Sequence, residues 1–457
     1  MDQKRTTLIV SDLHIGDGKP GDDFVNDKGQ FVKFLRNQLA TPEGQKGEIE
    51  LIINGDFLEF VQVNPGAYKL KSREFWCSEM ESRAKLDSIL NGHADIFAAL
   101  KDFQQGGSGK NRVTLFAGNH DVDLYWDSVQ EALRGVCGEL NIELREVWYK
   151  RYNNRLWISH GHLLTSIDPA NNFLHWDEPR RQPPDDREPK RLEMCPGTLF
   201  VVRFVNLLEA QYPFADNLHP ETALAGILWR EDSWGLQSVG WMLTKFAAKY
   251  PSEMLGSETV PDIGVQIREA VRSDPVVRDA FAELYRDLLE QPDMTAKKVR
   301  DTLNTDDALA EFIEQLMATG KPWETWLGAF NLTRPEILSS SDSSGGTLTI
   351  RSSSAVNQRA ECIAQARRTW NAGAQIVVLG HTHLPQKVEE VQGRYYNPGS
   401  WTRYIDGEGV DKLTLNQLRD EANYPYTLHC VRVEDTGADQ LQSEFFAIDD
   451  TGSTKAA

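Results

Sequence analysis

The sequence predicts an α/β core that is interrupted by a long, mostly helical insertion. Three observations support this fold class. Short apolar runs alternate with stretches of helical periodicity over the first 160 residues, and the same alternation returns near the C-terminus. The segment between these two parts shows helical periodicity with almost no strand pattern. Alternating strand and helix patterns are typical of α/β domains.

Three apolar runs in the first part predict buried strands. They span residues 6–12, 50–56 and 113–121, and each ends in Gly, Asp or Asn. Between them, apolar residues at helical spacing predict a helix in FVKFLRNQL and a longer helical segment around 82–103. A hairpin is expected next. Its strands are REVWYKRY and RLWISHG, and Asn153-Asn154, which tolerate the left-handed conformation, would form its turn.

The C-terminal part repeats the pattern. A helix is predicted over 355–372, because its apolar residues share one face, Ser354 can cap its start and Gly373 can end it. QIVVLGHTH then predicts another buried strand, and two hairpin-like segments follow. The last residues, 449–457, are expected to be disordered. The core would therefore comprise residues 1–176 and 355–448.

The predicted insertion spans residues 177–354, with helical patterns mainly over 198–331. It begins with the Pro-rich charged segment DEPRRQPPDDREPKR and ends with the Ser/Gly-rich SSSDSSGGTLTIRSSS, and both flanks are expected to be flexible. The chain leaves the core after His160 and returns before His381. We therefore expect the insertion to form a lid or cap over the site, with an oligomerisation or partner module as the alternative.

Composition and charge limit the classes of binding partner that we expect for this protein. The 457 residues include 68 acidic and 49 basic side chains, for a net charge of -19. Such a field repels long nucleic acids and anionic membranes, although a local basic groove could override it. The five cysteines are scattered without a C-x-x-C pair, which is typical of free thiols in a reducing cytosol. No apolar run is long enough for a transmembrane segment or a signal peptide, so a cytoplasmic location is expected.

Five polar motifs fall at the ends of the apolar runs, and they contain six of the ten histidines. They are Asp12-Leu-His14, Gly55-Asp56-Phe-Leu-Glu59, Gly118-Asn119-His120-Asp121, His160-Gly161-His162 and Gly380-His381-Thr-His383. Strand ends of an open α/β sheet meet at the edge where ligands bind. Carboxylate, imidazole and amide groups together suit divalent cations such as Mn, Fe or Zn. Each motif alone is a weak signal, whereas all five in this order are a strong one.

This order of motifs resembles the signature of the calcineurin-like metallophosphoesterase superfamily, D-x-H, G-D-x-x-(D/E), G-N-H-D, H and G-H-x-H. The phrase YYNPGSW after the last motif is similar to the closing strand and turn of that family. The resemblance covers residues 6–167 and 355–405 and leaves the insertion out. It implies a metallophosphoesterase four-layer α/β/β/α sandwich as the core.

The resemblance also implies two divalent cations, Mn first of all, with Fe, Zn or Mg as alternatives. One cation would be held by Asp12, His14, Asp56 and His383. The other would be held by Asp56, Asn119, His160 and His381. Asp56 would bridge the two cations together with a hydroxide, which would attack the phosphorus atom. Neighbouring cations need such a shared anion, and together they lower the pKa of bound water.

Other residues of the motifs are candidates for supporting roles. His120 is expected to stabilise the transition state or to protonate the leaving oxygen, with Asp121 orienting its ring. Glu59 stands where Asp is usual in the resembling family. Glu59, His162 and His175 are weaker candidates, either for substrate binding or for supporting the metal ligands.

The sequence therefore predicts a dinuclear metal-dependent hydrolase of a small phosphate ester or phosphoanhydride. The motif arrangement is similar to the UDP-2,3-diacylglucosamine pyrophosphohydrolase branch, whose members insert a helical lid that holds acyl chains. A nuclease or a cyclic-nucleotide phosphodiesterase on the same centre is the first alternative. A non-catalytic scaffold is the second, but such relatives typically lose metal ligands, and here every expected position is filled.

Overall fold

In the computed structural model of the chain, the apolar runs form strands within a mixed α/β architecture. The strands are β1 Thr6–Val10, β2 Ile49–Asn54, β3 Phe75–Ser78, β4 Arg112–Phe116, β5 Leu140–Glu143, β6 Tyr149–Arg151, β7 Leu156–Ser159, β8 Arg180–Arg181, β9 Arg191–Glu193, β10 Leu218–His219, β11 Ile376–Leu379, β12 Gln386–Glu390, β13 Gly393–Asn397, β14 Ile405–Asp406, β15 Leu428–Glu434, β16 Gln442–Ile448 and β17 Thr454–Ala456.

Helices connect many of these strands. They are α1 Gln30–Ala40, α2 Pro42–Lys46, α3 Glu79–Gly92, α4 Ala94–Gln105, α5 Asp127–Cys137, α6 Pro196–Phe200, α7 Asn206–Glu209, α8 Ala296–Thr302, α9 Ala355–Asn371 and α10 Leu415–Leu418. A short 3-10 helix spans Val122–Tyr125, and a π-helical turn spans Val201–Val205. None of the helices in the described part of the chain is long and apolar enough to cross a membrane.

The structure describes most of the chain outside the predicted insertion. The described residues are 5–19, 21–64, 75–108, 110–164, 173–183, 186–209, 212–215, 217–219, 227–228, 278, 282, 293–303, 308, 355–406, 413–420, 423–424 and 426–456.

A seven-stranded sheet runs in the order β17-β16-β15-β1-β2-β4-β5. Strands β1, β2, β4 and β5 are parallel, so their carboxyl ends lie at one edge. Helices α1, α3, α4 and α5 pack on this sheet, and their apolar residues share a core with those of β1, β2 and β4. The predicted helical segment 82–103 divides into α3 and α4 around His93, because Asn91 and Gly92 are weak helix formers.

A five-stranded sheet runs in the order β12-β13-β11-β7-β6. The predicted hairpin is confirmed: β6 and β7 are antiparallel, and Tyr152, Asn153 and Asn154 turn with φ of 51°, 55° and 63°. β7 and β11 are parallel neighbours despite the long chain segment between them. Their carboxyl ends therefore also lie side by side.

The two sheets share an apolar core. Ile9 and Ile52 of the seven-stranded sheet belong to one buried cluster with Ile158 and Val378 of the five-stranded sheet. On the other side of the five-stranded sheet, α9 packs its apolar face, including Trp370, against β11 and β13. Polar residues at the strand ends are thereby brought toward one another by two sheets at once.

The chain divides into two compact units. The first comprises Met1–Val202, Ser353–Asp406 and Leu418–Ala457, and the second comprises Arg203–Ser352 and Gly407–Gln417. The helical segment predicted over 198–331 falls largely outside the described residues, as does the Ser/Gly-rich flank. The parts of 198–331 that are described include α7, β10 and α8.

Two segments are more ordered than the sequence suggested. In the Pro-rich flank, β8 and β9 form a three-stranded antiparallel sheet with β3, and buried Arg191 pairs with Glu81 at 2.8 Å. The described residues of this flank, which the sequence predicted to be a flexible joint, therefore include paired strands.

The tail expected to be disordered contains β17, which pairs with β16. Asp449 holds the turn between them, since its carboxylate accepts hydrogen bonds from the backbone N–H groups of Thr451 and Ser453. Residues 449–456, which the sequence predicted to be disordered, thus form a turn and a strand in the structure.

Candidate metal centre

The predicted ligands follow strand ends of both sheets. Asp12 and His14 follow β1, Asp56 follows β2, Asn119 follows β4, His160 follows β7, and His381 and His383 follow β11. The acids and the amide thus come from the seven-stranded sheet, together with His14. The five-stranded sheet contributes only imidazoles.

A first ligand group consists of Asp12, His14, Asp56 and His383. One ligand atom from each residue lies within 4.8 Å of all the others. The Nε2 atoms of His14 and His383 are 3.0 Å apart, and His14 Nε2 is 3.7 Å from Asp56 Oδ2. Two imidazole nitrogens that converge on two carboxylates have the chemistry of a divalent cation site.

A second ligand group consists of Asp56, His160 and His381, again within 4.8 Å of one another. His160 Nε2 lies 3.1 Å from Asp56 Oδ2 and 3.2 Å from Asn119 Oδ1. Its other nitrogen, Nδ1, lies 2.9 Å from the carbonyl oxygen of Asn54, where it can donate a hydrogen bond. In that tautomer, a lone pair and two acceptor oxygens converge, so a cation among them fits the donor set.

Electrostatics at the centre favour added positive charge. Burial raises the pKa of Asp12 and by itself would raise that of Asp56, but His160 and His120 hold the pKa of Asp56 well below its usual value. Burial would lower the pKa of His160, yet Asp56 and Asp12 raise it to about 9. In the absence of a cation, the buried carboxylates therefore draw protons onto neighbouring imidazoles. Metal binding would replace those protons.

The backbone at the ligands is unusual. Asp12, His14, Asp56, His381 and His383 have φ between 46° and 70°, in the left-handed region. A non-glycine residue in such a sparsely populated region costs about 1–3 kcal/mol and is found preferentially at functional sites. Five of the seven predicted ligands share this feature, which sequence spacing does not reveal.

Glycines beside the ligands allow the strand ends to approach closely. A Cβ on Gly118 would lie 2.1 Å from Asp56 Oδ1, and one on Gly380 would lie 2.1 Å from Ser11 Oγ. Any larger residue at either position would displace a carboxylate or its hydrogen-bond partner. Steric crowding thus explains why glycine occupies the first position of the G-N-H-D and G-H-x-H motifs.

Ser11 is a residue of the candidate centre that the sequence analysis missed. Its buried hydroxyl lies within hydrogen-bond distance of the Asp12 carboxylate and 2.8 Å from the Asn54 carbonyl oxygen. The backbone N–H of His381 donates to both Asp12 oxygens, at 3.0 and 3.1 Å. These contacts fix the Asp12 side chain between the two sheets, and only the adjacency of Ser11 to Asp12 could have indicated this role.

The partner of the His120 ring is Glu59. The Glu59 carboxylate lies 2.8 Å from His120 Nδ1 and 2.6 Å from His14 Nδ1. The oxygens of Asp121 instead accept the backbone N–H groups of Phe57, Leu58 and Gly118, at 3.1, 3.1 and 3.0 Å. The prediction that Asp121 orients the His120 ring is therefore wrong, because its carboxylate is turned toward the loop after β2.

Glu59 also changes the charge state of its neighbours. Burial would lower the pKa of His120, but Glu59 and Asp56 raise it to about 10. His14, Glu59 and His120 form a third group of nearby ligand atoms. The Nδ1 atoms of His14 and His120 both lie within hydrogen-bond distance of the Glu59 carboxylate. We therefore interpret this group as a hydrogen-bonded triad in which the Nε2 atom of each histidine remains available to the candidate site.

The two weaker histidine candidates differ in placement. His162 is buried, with its ring centroid 5.3 Å from that of His160. Burial, followed by the nearby His160 and His381, holds the pKa of His162 well below its usual value. His175 is exposed and lies 2.8 Å from Glu193 of β9, and it belongs to none of the ligand groups in the described residues.

Two groups of potential metal ligands that share the Asp56 carboxylate, the hydrogen-bonded group of His14, Glu59 and His120, and the additional buried His162 thus lie at one edge of the α/β core. A scan against protein-family models finds no match for the chain, and a search of curated proteins finds none either.

Proposed function

We propose that the chain is a dinuclear metal-dependent hydrolase of phosphate esters or phosphoanhydrides, built on the α/β/β/α sandwich of calcineurin-like metallophosphoesterases. The observation that carries the proposal is the sharing of Asp56 by two ligand groups, in each of which the ligand atoms lie within 4.8 Å of one another. A carboxylate common to two cation sites is the arrangement that a two-metal hydrolase requires. Mn is the first candidate metal, with Fe, Zn or Mg as alternatives.

The side chains would divide the work of holding the metals. Asp12, His14 and His383 would complete one site around Asp56. Asn119, His160 and His381 would complete the other. When bound, the two cations would supply Lewis acidity toward phosphoryl oxygens and would lower the pKa of a bound water molecule.

His120 would act on the leaving group. Its Nδ1 is fixed by Glu59, and its ring lies edge-on to that of His14, with 4.7 Å between the centroids. The ring is therefore held beside the first ligand group with Nε2 remaining for a substrate oxygen. From there, Nε2–H can donate a proton to the oxygen that departs from phosphorus.

A substrate panel tests the proposal. The metal-loaded protein is assayed against a phosphomonoester, a bis-phosphodiester, a cyclic nucleotide and a UDP-sugar anhydride, each with Mn, Mg, Zn and Fe. We expect hydrolysis of at least one class. Activity confined to a cyclic nucleotide would favour the phosphodiesterase alternative. Inactivity on every substrate at full metal occupancy would contradict the proposal and favour a scaffold.

The His120→Ala variant separates binding from chemistry. It should keep both cations and lower turnover by about 10²–10⁴-fold, the range for loss of a positioned acid or base. The exposed His175→Ala variant is the matched control and should match wild type. The loss in His120→Ala should be smaller for a nitrophenyl ester, because that leaving group departs without a proton.

A further inference from the structure

Within the described part of the chain, His162 is a buried histidine that lacks a hydrogen-bond partner. Its exposed fraction is 1%, and neither ring nitrogen has a hydrogen-bond partner among the residues that the structure describes. The two other buried histidines of the centre differ in this respect. In His14 and His160 both ring nitrogens lie within hydrogen-bond distance of a neighbour.

Aromatic side chains pack against the His162 ring. Trp176 meets it edge-to-face with 4.5 Å between ring centroids, and Phe173 does so at 6.4 Å. Both aromatic residues belong to the buried core. An apolar ring at position 162 would pack equally well there and would avoid burying two unpaired nitrogens.

The other neighbours of His162 are metal-ligand candidates. Its ring centroid lies 5.3 Å from that of His160 and 6.4 Å from that of His381. The second ligand group itself comprises Asp56, His160 and His381, and no nitrogen of His162 is close enough to belong to it. His162 is therefore placed beside the second site without being part of its ligand set.

We propose that His162 donates a hydrogen bond to a phosphoryl oxygen of the substrate next to the second ligand group. This inference rests on the proposed phosphoesterase function and adds a substrate-contacting residue to it. A buried imidazole N–H that has no protein partner is paired once an oxyanion enters the centre. His120 and His162 would then contact the substrate at different positions. His120 lies beside His14 of the first ligand group, and His162 lies beside His160 and His381 of the second.

Phosphate binding to the full chain tests the assignment. Inorganic phosphate is titrated calorimetrically into the Mn-loaded protein, and the Mn content of each variant is measured in parallel. His162→Phe should retain two Mn ions while its phosphate affinity falls about 10- to 100-fold, as expected for one hydrogen bond to a charged group. His162→Gln, which restores an N–H donor, should recover part of that affinity.

His429→Phe provides the matched control. His429 is also buried and also packs on an aromatic ring, that of Phe445 at 4.8 Å, but it belongs to no ligand group of the described residues. Its phosphate affinity should equal that of wild type.

A second measurement does not depend on a folded variant. In wild-type protein loaded with Zn and labelled with ¹⁵N at histidine, phosphate should shift the ring nitrogen signals of His162. Unchanged signals, or an unchanged phosphate affinity in His162→Phe, would show that the ring serves packing alone. Loss of a Mn ion in His162→Phe would instead make His162 a metal ligand. Either result overturns the inference while leaving ester hydrolysis by wild type intact. If wild type neither hydrolyses esters nor binds phosphate, the proposed function itself fails.

Discussion

The two ligand groups share Asp56 but differ in charge. The first contains two carboxylates and two imidazoles, and its His383 side chain is 29% exposed. The second has Asp56 as its carboxylate, together with two imidazoles and the Asn119 amide, and its His160 side chain is fully buried. Ligand charge and site rigidity both tune cation affinity. The comparison therefore indicates that the first group carries the greater negative charge, whereas in the second an amide takes the place of one carboxylate.

The difference follows from the sheets. The seven-stranded sheet contributes both acids, the amide and His14, whereas the five-stranded sheet contributes only imidazoles. Neither sheet carries a complete site, and Asp56 is the common element. Variants that remove the shared ligand, one group, or a support of one group should therefore have graded effects on cation binding.

The largest effect is expected for Asp56→Asn. Loss of the shared negative charge should lower the affinity for both cations by more than about 100-fold. Substitution of residues that only support metal ligands already lowers metal affinity by about 10–100-fold. Elemental analysis after dialysis should find neither cation. Asp17→Asn, in the loop after the first motif, is the control and should keep both. If Asp56→Asn retained two cations per chain, the assignment of Asp56 as a bridging ligand would be wrong.

Removal of a ligand from one group should affect one cation. Asp12→Asn should lose the first cation and keep the second, while His381→Ala should do the reverse, so each variant retains one equivalent by elemental analysis. The double variant should retain none. If either single substitution removed both cations, the two groups would have to be treated as one cooperative site.

A smaller effect is expected when a ligand loses its support. Glu59→Gln removes the charge that holds the His14 ring, and it should weaken the first cation about 10- to 100-fold and leave the second unchanged. Metal titration with a competing chelator measures both affinities. Glu193→Gln is the matched control, because Glu193 holds His175, which lies outside both groups. If Glu59→Gln lowered the affinity for both cations equally, Glu59 would not support the first ligand group alone.

The smallest effect on the cations is expected for Asp121→Asn, which should keep two equivalents. Its carboxylate accepts three backbone N–H groups, so the amide should lower the free energy of unfolding by about 1–3 kcal/mol. Denaturant titration of the metal-free protein tests this. Loss of a cation would show that Asp121 acts on the ligands and not on the loop.

Much of the centre was predictable from the sequence, because an apolar run followed by polar residues indicates the end of a buried strand. The positions of β1, β2, β4, β7 and β11 agree with the runs that predicted them. Both ligand groups bring together the residues that the family resemblance suggested. A motif order specifies which residues meet, provided that the strands are parallel neighbours.

What could not be predicted concerns the directions of side chains and the pairing of short segments. Adjacent spacing suggested Asp121 as the partner of His120, yet the long Glu59 side chain reaches two imidazoles from another loop. The β3–β9–β8 sheet joins segments about a hundred residues apart, and its short strands have no alternating pattern. Such contacts depend on tertiary packing that local periodicity does not encode.

The left-handed backbone of the ligands has a consequence for how this centre can change over evolutionary time. At Asp12, His14, Asp56, His381 and His383, glycine, asparagine, aspartate and histidine tolerate the observed φ far better than β-branched or bulky residues. The substitutions most easily accepted by the backbone are thus mainly other ligands or near-ligands. Under the proposed function, exchange among aspartate, asparagine and histidine at these positions would alter the donor set, and glycine would remove a donor while the loop conformation is kept.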